Sequence, residues 1–462
     1  MKSNKDLVKE ISLNRFNLLV LNSRHPNIRL IAFEIEYYAN FNDTILGVIL
    51  FDHYDKDFNC IILCRDENNR FRAFNPEVEG TSLANISMAR KWIKRKILDY
   101  TRNKIEIVEQ GDNLKGVELF TDVTSPSNMH PYYILLRDHI SKYPAKRAII
   151  EIGNHFTDID GNFVDQFQSK NGFDSRLWEI YLFAFLTEEG FLFDRSHHRP
   201  DFIVTKGEAV IGIEAVIVAR PSGNPPTIDP TEIQHKTLEE INAEISNDMP
   251  LRFGSSLYSK MRMKYWEDTH LSGKPLILAI ADFHADQSML WSFSALVNYL
   301  YGLNYKAKYD EKGNLEIVPE KIEPYTKPSG EKIDSGFFFT PDSENISAIL
   351  FSSTATVSKF SRMGIQAGFG IEGHTVLRVG AKVDHNPNAS VPIAFGYIVD
   401  ENCEESWGEG VNLFHNPNAI HKIDFELFPN IAHHHLKDEH IHSISPDFHP
   451  YFSINQIFYP ED

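Results

Sequence analysis

Cysteine is scarce in this chain, with 3 cysteines in 462 residues. Cys60 and Cys64 lie in one strand-like run, and Cys403 is remote from both. Three cysteines are too few for a disulfide framework, and no second pair completes a four-cysteine zinc site. The first residues lack the apolar stretch of a secretory signal, so we expect a protein of the reducing cytoplasm.

Long apolar runs are missing as well. No stretch of about 18 or more apolar residues occurs, so a membrane-spanning helix is not expected. The chain also lacks the phosphate loop GxxxxGK(S/T) and the GxSxG turn of serine hydrolases. These absences disfavour a P-loop NTPase and a hydrolase of the GxSxG class.

Positive charge is in deficit, because 46 basic residues stand against 64 acidic ones and give a net charge of −18. This balance argues against a protein that coats nucleic acid without sequence preference. It still permits a nuclease, which needs only a local basic surface around its site. Basic residues concentrate at 90–96, where a solvated helix face is the simpler interpretation, and at 252–264.

The chain is long for one domain, and its pattern predicts an α+β protein in four parts. Residues 1–115 are predicted to form an N-terminal α+β domain. Residues 116–170 are predicted to be a connector with a helix and an alternating strand at 145–156. The segment 171–302 predicts the order αβββαβ around a central mixed sheet, and 303–462 a β-rich extension that packs on this core.

Three carboxylates in the segment 171–302 stand where apolar residues are expected. Glu179 lies in the helix-like run LWEIYLFAFL, Asp201 heads the strand-like PDFIV, and Glu214 interrupts VIGIEAVIV. A buried carboxylate is costly unless it is paired or binds a metal. A hairpin turn at Gly207 would place Asp201 opposite Glu214, with Cβ atoms roughly 4.5–5.5 Å apart. A divalent cation such as Mg²⁺ would relieve the resulting repulsion.

Simpler explanations exist for the same three acids. Glu179 has Arg176 three residues earlier on the same helix and could form an ion pair with it. Asp201 and Glu214 could be a polar pair at a sheet edge. The apolar run around Glu214 instead favours a central strand.

The helical glutamate, the Pro-Asp pair and the acid of the next strand, in the order αβββαβ, resemble the PD-(D/E)XK superfamily of restriction-endonuclease-like nucleases. The resemblance lies within residues 173–283. It implies a restriction-endonuclease-like core in which Glu179, Asp201 and Glu214 bind a divalent metal.

The sequence departs from the superfamily pattern at one position. A lysine two residues after the last acid assists catalysis in that superfamily, and Val216 stands there in this chain. Lys260 is the candidate replacement, because the helix predicted around 254–266 should pack beside the hairpin. Ser256, Lys260 and Lys264 are spaced four apart, which predicts one helical stripe.

The resemblance implies a Mg²⁺- or Mn²⁺-dependent nuclease that hydrolyses phosphodiester bonds in DNA, in a setting such as restriction or phage defence. DNA is then the expected partner, and a second copy of the chain or another protein stays open as a further one. Two other classes also stay open. One is a catalytically inactive nuclease-fold module that binds nucleic acid or protein, which Val216 and the charge of −18 favour. The other is a hydrolase that uses paired carboxylates on a non-nucleic substrate such as a glycan.

Histidines cluster near the C-terminus, at positions 433–435, 440 and 442. Strand alternation would put His433 and His435 on one face, which permits a zinc or iron site. No spaced carboxylate or cysteine pattern accompanies them, so a polar strand or loop is the simpler interpretation.

Overall fold

The protein, here a computed structural model, is described over residues 7–74, 80–103, 115–327 and 329–459. It is a mixed α+β fold, 33% helix and 28% strand, with a mixed central sheet. The helices are α1 (Leu13–Val20), α2 (Ile28–Ile31), α3 (Ile86–Asn103), α4 (Pro131–Asp138), α5 (Tyr143–Gly153), α6 (Phe163–Gln168), α7 (Phe173–Glu188), α8 (Leu238–Ala243), α9 (Met249–Met261), α10 (Ser292–Tyr301) and α11 (Val357–Gly364).

The strands fall into sheets of different size. They are β1 (Val8–Ile11), β2 (Ala32–Asn40), β3 (Ile45–Asp52), β4 (Phe58–Arg65), β5 (Phe71–Ala73), β6 (Leu192–Asp194), β7 (Phe202–Lys206), β8 (Ala209–Val218), β9 (Leu276–Asp282), β10 (Leu303–Tyr309), β11 (Leu315–Lys321), β12 (Tyr325–Thr326), β13 (Lys332–Ile333), β14 (Ala348–Ser352), β15 (Thr375–Lys382), β16 (Ile393–Ile398), β17 (Val411–His415), β18 (Ala432–Lys437), β19 (His440–Ile444) and β20 (Pro450–Phe458).

The N-terminal region forms an antiparallel sheet in the order β1-β2-β3-β4-β5, with α3 packed on one face. Ile93 and Ile97 of α3 are fully buried against this sheet. The helix approaches so closely that a Cβ at Gly47 of β3 would come within 2.7 Å of the Ile93 side chain, which would have to shift. Strand β2 begins at Ala32, because α2 occupies the preceding residues.

The predicted strand at 145–156 is wrong, because these residues lie mostly in helix α5. Ala145, Ala148, Ile149 and Ile152 are all fully buried, and their spacing is that of one helix face. Pro144, near the helix start, occupies a position where its missing N–H costs no intrahelical bond. The apparent alternation arose because half-buried residues on the flanks of the helix interleave with the buried ones.

The central sheet has eight strands in the order β19-β18-β17-β14-β9-β8-β7-β6. Strands β6, β7 and β8 form antiparallel hairpins, while β9 runs parallel to β8 and β14 parallel to β9. The chain order is α7, β6, β7, β8, α8, α9 and β9, so the predicted succession of helices and strands is present with one extra short helix. Strands β14, β17, β18 and β19 continue the same sheet beyond the boundary predicted at residues 302 and 303.

Both faces of the central sheet are covered. On one face, α7 packs against Ile213 and Ala215, and the indole N–H of Trp178 donates to the carbonyl of Ala279 at 2.9 Å. On the opposite face, α9 and α10 pack against Val216 and its neighbours on β9 and β14. Buried on both sides, β9 has no exposed residue, as expected for a parallel strand in the middle of a sheet.

The C-terminal part adds a three-stranded sheet in the order β16-β15-β20. A buried charge cluster joins it to α11. Lys359 and Arg362 on α11 and Arg378 on β15 surround Glu405, with N–O distances of 2.6, 2.7 and 3.3 Å. Burial would raise the pKa of the Glu405 carboxyl, but the three cations hold that pKa well below its usual range.

No helix within the described ranges is long and apolar enough to cross a membrane.

Replacing Glu405 by Gln should destabilise the fold by about 3–5 kcal/mol, because three buried cations lose their common counter-charge. The midpoint of guanidinium unfolding at neutral pH measures this. Since the folded pKa of Glu405 is depressed, its stabilisation is present above the unfolded pKa and is lost as the pH falls towards the folded one. The difference in unfolding free energy between wild type and Glu405→Gln should therefore become smaller in strong acid.

The matched control is Glu320→Gln on β11, whose partner Lys306 is 67% exposed. Exposed ion pairs contribute roughly 0–1 kcal/mol, so this variant should unfold close to wild type. Equal midpoints for the two variants would contradict the stabilising role of the buried cluster.

Candidate carboxylate site

The hairpin of β7 and β8 brings two of the predicted acids together. Phe202 pairs with Ile213, so one step further along the ladder Asp201 stands opposite Glu214, as predicted. The turn contains Gly207 with φ of +60°, a left-handed conformation that glycine adopts without a Cβ penalty.

Asp201 and Glu214 are also linked by hydrogen bonds. The amide of Asp201 donates to Oε2 of Glu214 at 3.2 Å, and the amide of Ala215 donates to Oδ2 of Asp201 at 2.8 Å. Burial, followed by the negative charges of Glu214 and Glu179, raises the pKa of Asp201 well above its usual range. Two such carboxylates are stable together when they share a proton or bind a cation.

Lys260 supplies a positive charge to this pair. It projects from the last turn of α9, and its Nζ lies 2.6 Å from Oε1 of Glu214. Ser256, one turn earlier, donates from Oγ to the carbonyl of Ile217 at 3.1 Å and so ties α9 to β8. Desolvation would lower the pKa of Lys260, but Glu214 acts against it and the net effect is a raised pKa. The amine is therefore an ammonium at neutral pH.

The predicted stripe of three residues is only partly formed. Helix α9 ends at Met261, and Lys264 lies beyond it in a left-handed conformation with φ of +50°. Lys264 instead pairs with Glu267 at 3.2 Å on the surface. The helical stripe facing β8 therefore consists of Ser256 and Lys260.

Val216 occupies its strand position for a packing reason. Its side chain is 3% exposed and lies in an apolar cluster with Phe253 and Leu257 of α9. A lysine at this position would bury an ammonium among these apolar side chains, at considerable cost. The cation beside Glu214 comes from the covering helix instead of the strand.

Glu179 is held by the ion pair that its spacing to Arg176 suggested. Nη1 of Arg176 donates to both carboxylate oxygens of Glu179, at 2.8 and 3.0 Å. Burial raises the pKa of Glu179 to about 7, an effect that Arg176 opposes and the charge of Glu214 reinforces. Glu179 is thus electrostatically connected to the strand acids while its nearest partner is an arginine.

The three acids do not converge on one point. Among the described His, Cys, Asp and Glu side chains, the group with three ligand atoms within 4.8 Å of one another consists of histidines. Glu179 lies on α7, which covers one face of the sheet, whereas Asp201 and Glu214 share the strand parity of Ile203 and Val216, which pack on the opposite face. Glu179 and the strand pair therefore come from different elements, but their charges still act on one another, because Glu214 raises the pKa of Glu179 and Glu179 raises that of Asp201.

Two residues of the site were missed at the level of sequence. Nη1 of Arg195 donates to the carbonyl of Asp201 at 2.9 Å, and burial lowers the pKa of Arg195 to about 10 against the opposing charges of Glu179 and Asp201. Tyr265 is 3% exposed, and burial followed by the charge of the neighbouring Glu214 raises its pKa. Arg195 directly follows the strand-like run FLFD. A basic residue so close to an apolar strand could have indicated a partner for the buried acids.

The basic residues near the site are mostly paired. In the segment 252–264, Arg252 bonds Asp248 at 2.6 Å, and Lys260 and Lys264 have the carboxylate partners described above. In the N-terminal basic segment, Arg90 forms an ion pair with Glu36. Both segments therefore contribute less free positive charge than their composition suggests.

Comparison with known proteins leaves the site to be interpreted from its geometry. A scan against protein-family models, a search of curated proteins and a search of solved structures each returned no match to the chain.

Asp201→Asn should raise the melting temperature at pH 8 without divalent metal, because it removes a half-buried charge that Glu214 repels. The raised folded pKa of Asp201 means that its stabilising contribution is present at low pH and is lost as the pH rises through that pKa. The increase in melting temperature should therefore be smaller at pH 5 than at pH 8.

Thermal unfolding in EDTA at both pH values measures the effect. Glu208→Gln, at the exposed turn of the same hairpin, also removes one carboxylate and should change neither melting temperature. A lower melting temperature for Asp201→Asn at pH 8 would mean that the Asp201 carboxylate stabilises the site rather than straining it.

Proposed function

We propose that the protein is a Mg²⁺- or Mn²⁺-dependent nuclease that hydrolyses phosphodiester bonds in DNA at the Asp201–Glu214 pair. The observation that carries this proposal is the contact of Asp201, Glu214 and Lys260 on one face of the central sheet. The order of α7, β6, β7, β8, α9 and β9 adds support, because it is the order expected of a restriction-endonuclease-like core. A setting such as restriction or phage defence follows from the same resemblance.

The donor set of the site fits a hard divalent cation. Mg²⁺ is usually held by one or two carboxylates, with waters and substrate phosphates completing its coordination. Asp201 and Glu214 would hold it, and the charge of Glu179, which already raises the pKa of Asp201, would add to the attraction for the cation. Bound there, the cation would neutralise phosphate charge and supply an activated water. The raised pKa of Asp201 supports this assignment, because a cation beside the pair would remove the repulsion that causes it.

Lys260 would stabilise negative charge rather than remove a proton. Its pKa is raised, so its amine is protonated at neutral pH and cannot serve as a general base. An ammonium beside the metal-binding acid is suited to the charge that develops on the phosphate in the transition state. Its side chain is 35% exposed, which leaves it accessible to a ligand.

A second function is favoured by a specific observation. Lys260 neutralises Glu214 and Arg176 neutralises Glu179, so two of the three acids already have cationic partners without a metal. A nuclease-fold module that binds nucleic acid or protein without cleaving it would need no metal, and its acids would be neutralised by cations of the chain in this way. The two functions differ in one result: the nuclease cleaves DNA when a divalent cation is present, and the binding module does not.

Cleavage of supercoiled plasmid and of single- and double-stranded oligonucleotides, with Mg²⁺ or Mn²⁺, tests the proposal. Wild type should cut, Glu214→Gln should abolish cutting, and Lys260→Ala should slow it by about 10²–10³-fold, the usual cost of removing one group that stabilises transition-state charge. Lys264→Ala removes a lysine from the same region, outside the site, and should cut at the wild-type rate.

The outcomes separate the two functions. Metal-independent DNA binding without cleavage by the wild type would establish the binding module. Cleavage that Glu214→Gln leaves intact would place any nuclease activity elsewhere in the chain. Cleavage lost equally in Lys260→Ala and Lys264→Ala would reduce the role of Lys260 to general surface charge.

A further inference from the structure

Three histidines meet on one face of the central sheet, on two neighbouring strands. His415 ends β17, and His433 and His435 lie on β18, which runs parallel to β17. The pairing of Leu413 with His433 puts all three imidazoles on the same face, with His415 beside His435. One nitrogen from each ring lies within 4.8 Å of one nitrogen from each of the others.

The orientation of His433 is set by the backbone. Its Nε2 lies 2.8 Å from the carbonyl oxygen of Phe428, an acceptor only, so Nε2 carries the proton. The unprotonated Nδ1 of His433 then faces Nε2 of His415 at 2.9 Å. Histidines that bind metals commonly donate the other ring N–H to a carbonyl in this way, which fixes the tautomer and directs the lone pair at the ion.

We propose that His415, His433 and His435 form a binding site for a zinc ion. Zn²⁺ takes nitrogen ligands at roughly 2.0–2.1 Å, so ligand nitrogens around a tetrahedral ion stand roughly 3.3 Å apart. A separation of 2.9 Å between the facing nitrogens of His415 and His433 lies close to this value, and a small outward shift of the rings admits the ion.

The third ring supplies a further nitrogen to the donor set, and it must rotate out of its stacked position for its lone pair to point at the ion. His435 stacks on His415 with ring centroids 3.9 Å apart and an interplanar angle of 17°. It is only partly buried, whereas His433 is fully buried, so the open side of the site lies at His435. Burial lowers the pKa of all three imidazoles, that of His415 to about 3, which is compatible with neutral ligands.

The fourth coordination position has a candidate occupant in addition to water. His442 on β19 pairs directly with His435 across the antiparallel ladder and is exposed. Directly opposed residues on a ladder have Cβ atoms roughly 4.5–5.5 Å apart on the same face, within reach of a shared ion. Three nitrogen ligands with one replaceable position are typical of zinc sites that remain open to an external ligand.

His434, between His433 and His435, shows how a buried imidazole of this sheet is hydrogen-bonded when it faces no other histidine. His434 points to the opposite face, where its two nitrogens bond Ser443 at 2.7 Å and Asn412 at 3.0 Å. Hydrogen-bonding side chains thus satisfy both nitrogens of His434. In the histidine trio, by contrast, the rings turn their nitrogens towards one another.

The histidine trio and the carboxylate site are separate. Strand β18 is four positions from β8 in the sheet, which is roughly 19 Å at about 4.8 Å per strand. Zinc binding at the trio and Mg²⁺-dependent cleavage at the acids can therefore be removed independently.

Zinc binding is tested on the full chain, purified without a histidine tag, stripped with EDTA and dialysed against Zn²⁺. Wild type should retain one Zn²⁺ per chain more than His415→Asn by mass spectrometry of the metal. Co²⁺ in its place should give the visible absorption bands of a tetrahedral site. His435→Ala and His415→Asn should each weaken Zn²⁺ binding by at least about 100-fold, since even outer-shell changes cost about 10–100-fold.

Two controls make the result specific. His440→Ala removes an exposed histidine of β19 outside the trio and should retain the ion, as should Glu214→Gln at the carboxylate site. Melting of the EDTA-treated proteins checks folding, and His435→Ala should match wild type because its side chain is only partly buried. Wild type that retains no Zn²⁺, or Zn²⁺ retained equally by His435→Ala and His415→Asn, would overturn the proposal. Loss of the ion in Glu214→Gln would also overturn it.

Discussion

The facing carboxylates of Asp201 and Glu214 bring two like charges together in the central sheet. The elements around them must compensate for this repulsion. The register of β7 and β8 leaves these carboxylates no freedom to separate. The neighbouring elements therefore bring opposite charge to them, with Lys260 from α9 and Arg195 from the end of β6. The position of α9 over β8 in turn requires an apolar residue at Val216. A charge conflict on two strands thus determines which side chains the covering helix can present.

The facing pair could be predicted from sequence because hairpin geometry is local. A turn containing Gly207 determines the partner of every residue on the two strands, and strand alternation determines the face. The contact of Lys260 with Glu214 could also be predicted, because a helix between two parallel strands must cover the sheet. The place of Glu179 could not, because spacing along the chain does not say on which face of the sheet the preceding helix packs.

Features that depend on distant segments could not be predicted. His415 joins His433 and His435 through a parallel pairing of β17 and β18, and no local pattern in the sequence specifies that pairing. Glu405 meets cations that come from α11 and β15, and a basic residue in an amphipathic helix normally indicates a solvated face. The helix α5 was mistaken for a strand because half-buried residues between its apolar positions imitate alternation over a short window.

The sheet that carries both sites is assembled from widely separated parts of the chain. Strand β9 is the junction, with β8 on one side and β14, which follows about 65 residues later, on the other. All seven residues of β9 are buried. A fragment that ended after α10 would leave this apolar strand with a row of unpaired amides and carbonyls, the arrangement through which unprotected sheet edges join one another. The segment that carries the carboxylate site is therefore expected to aggregate when it is expressed without the strands that follow it, because β14 covers the apolar edge of β9.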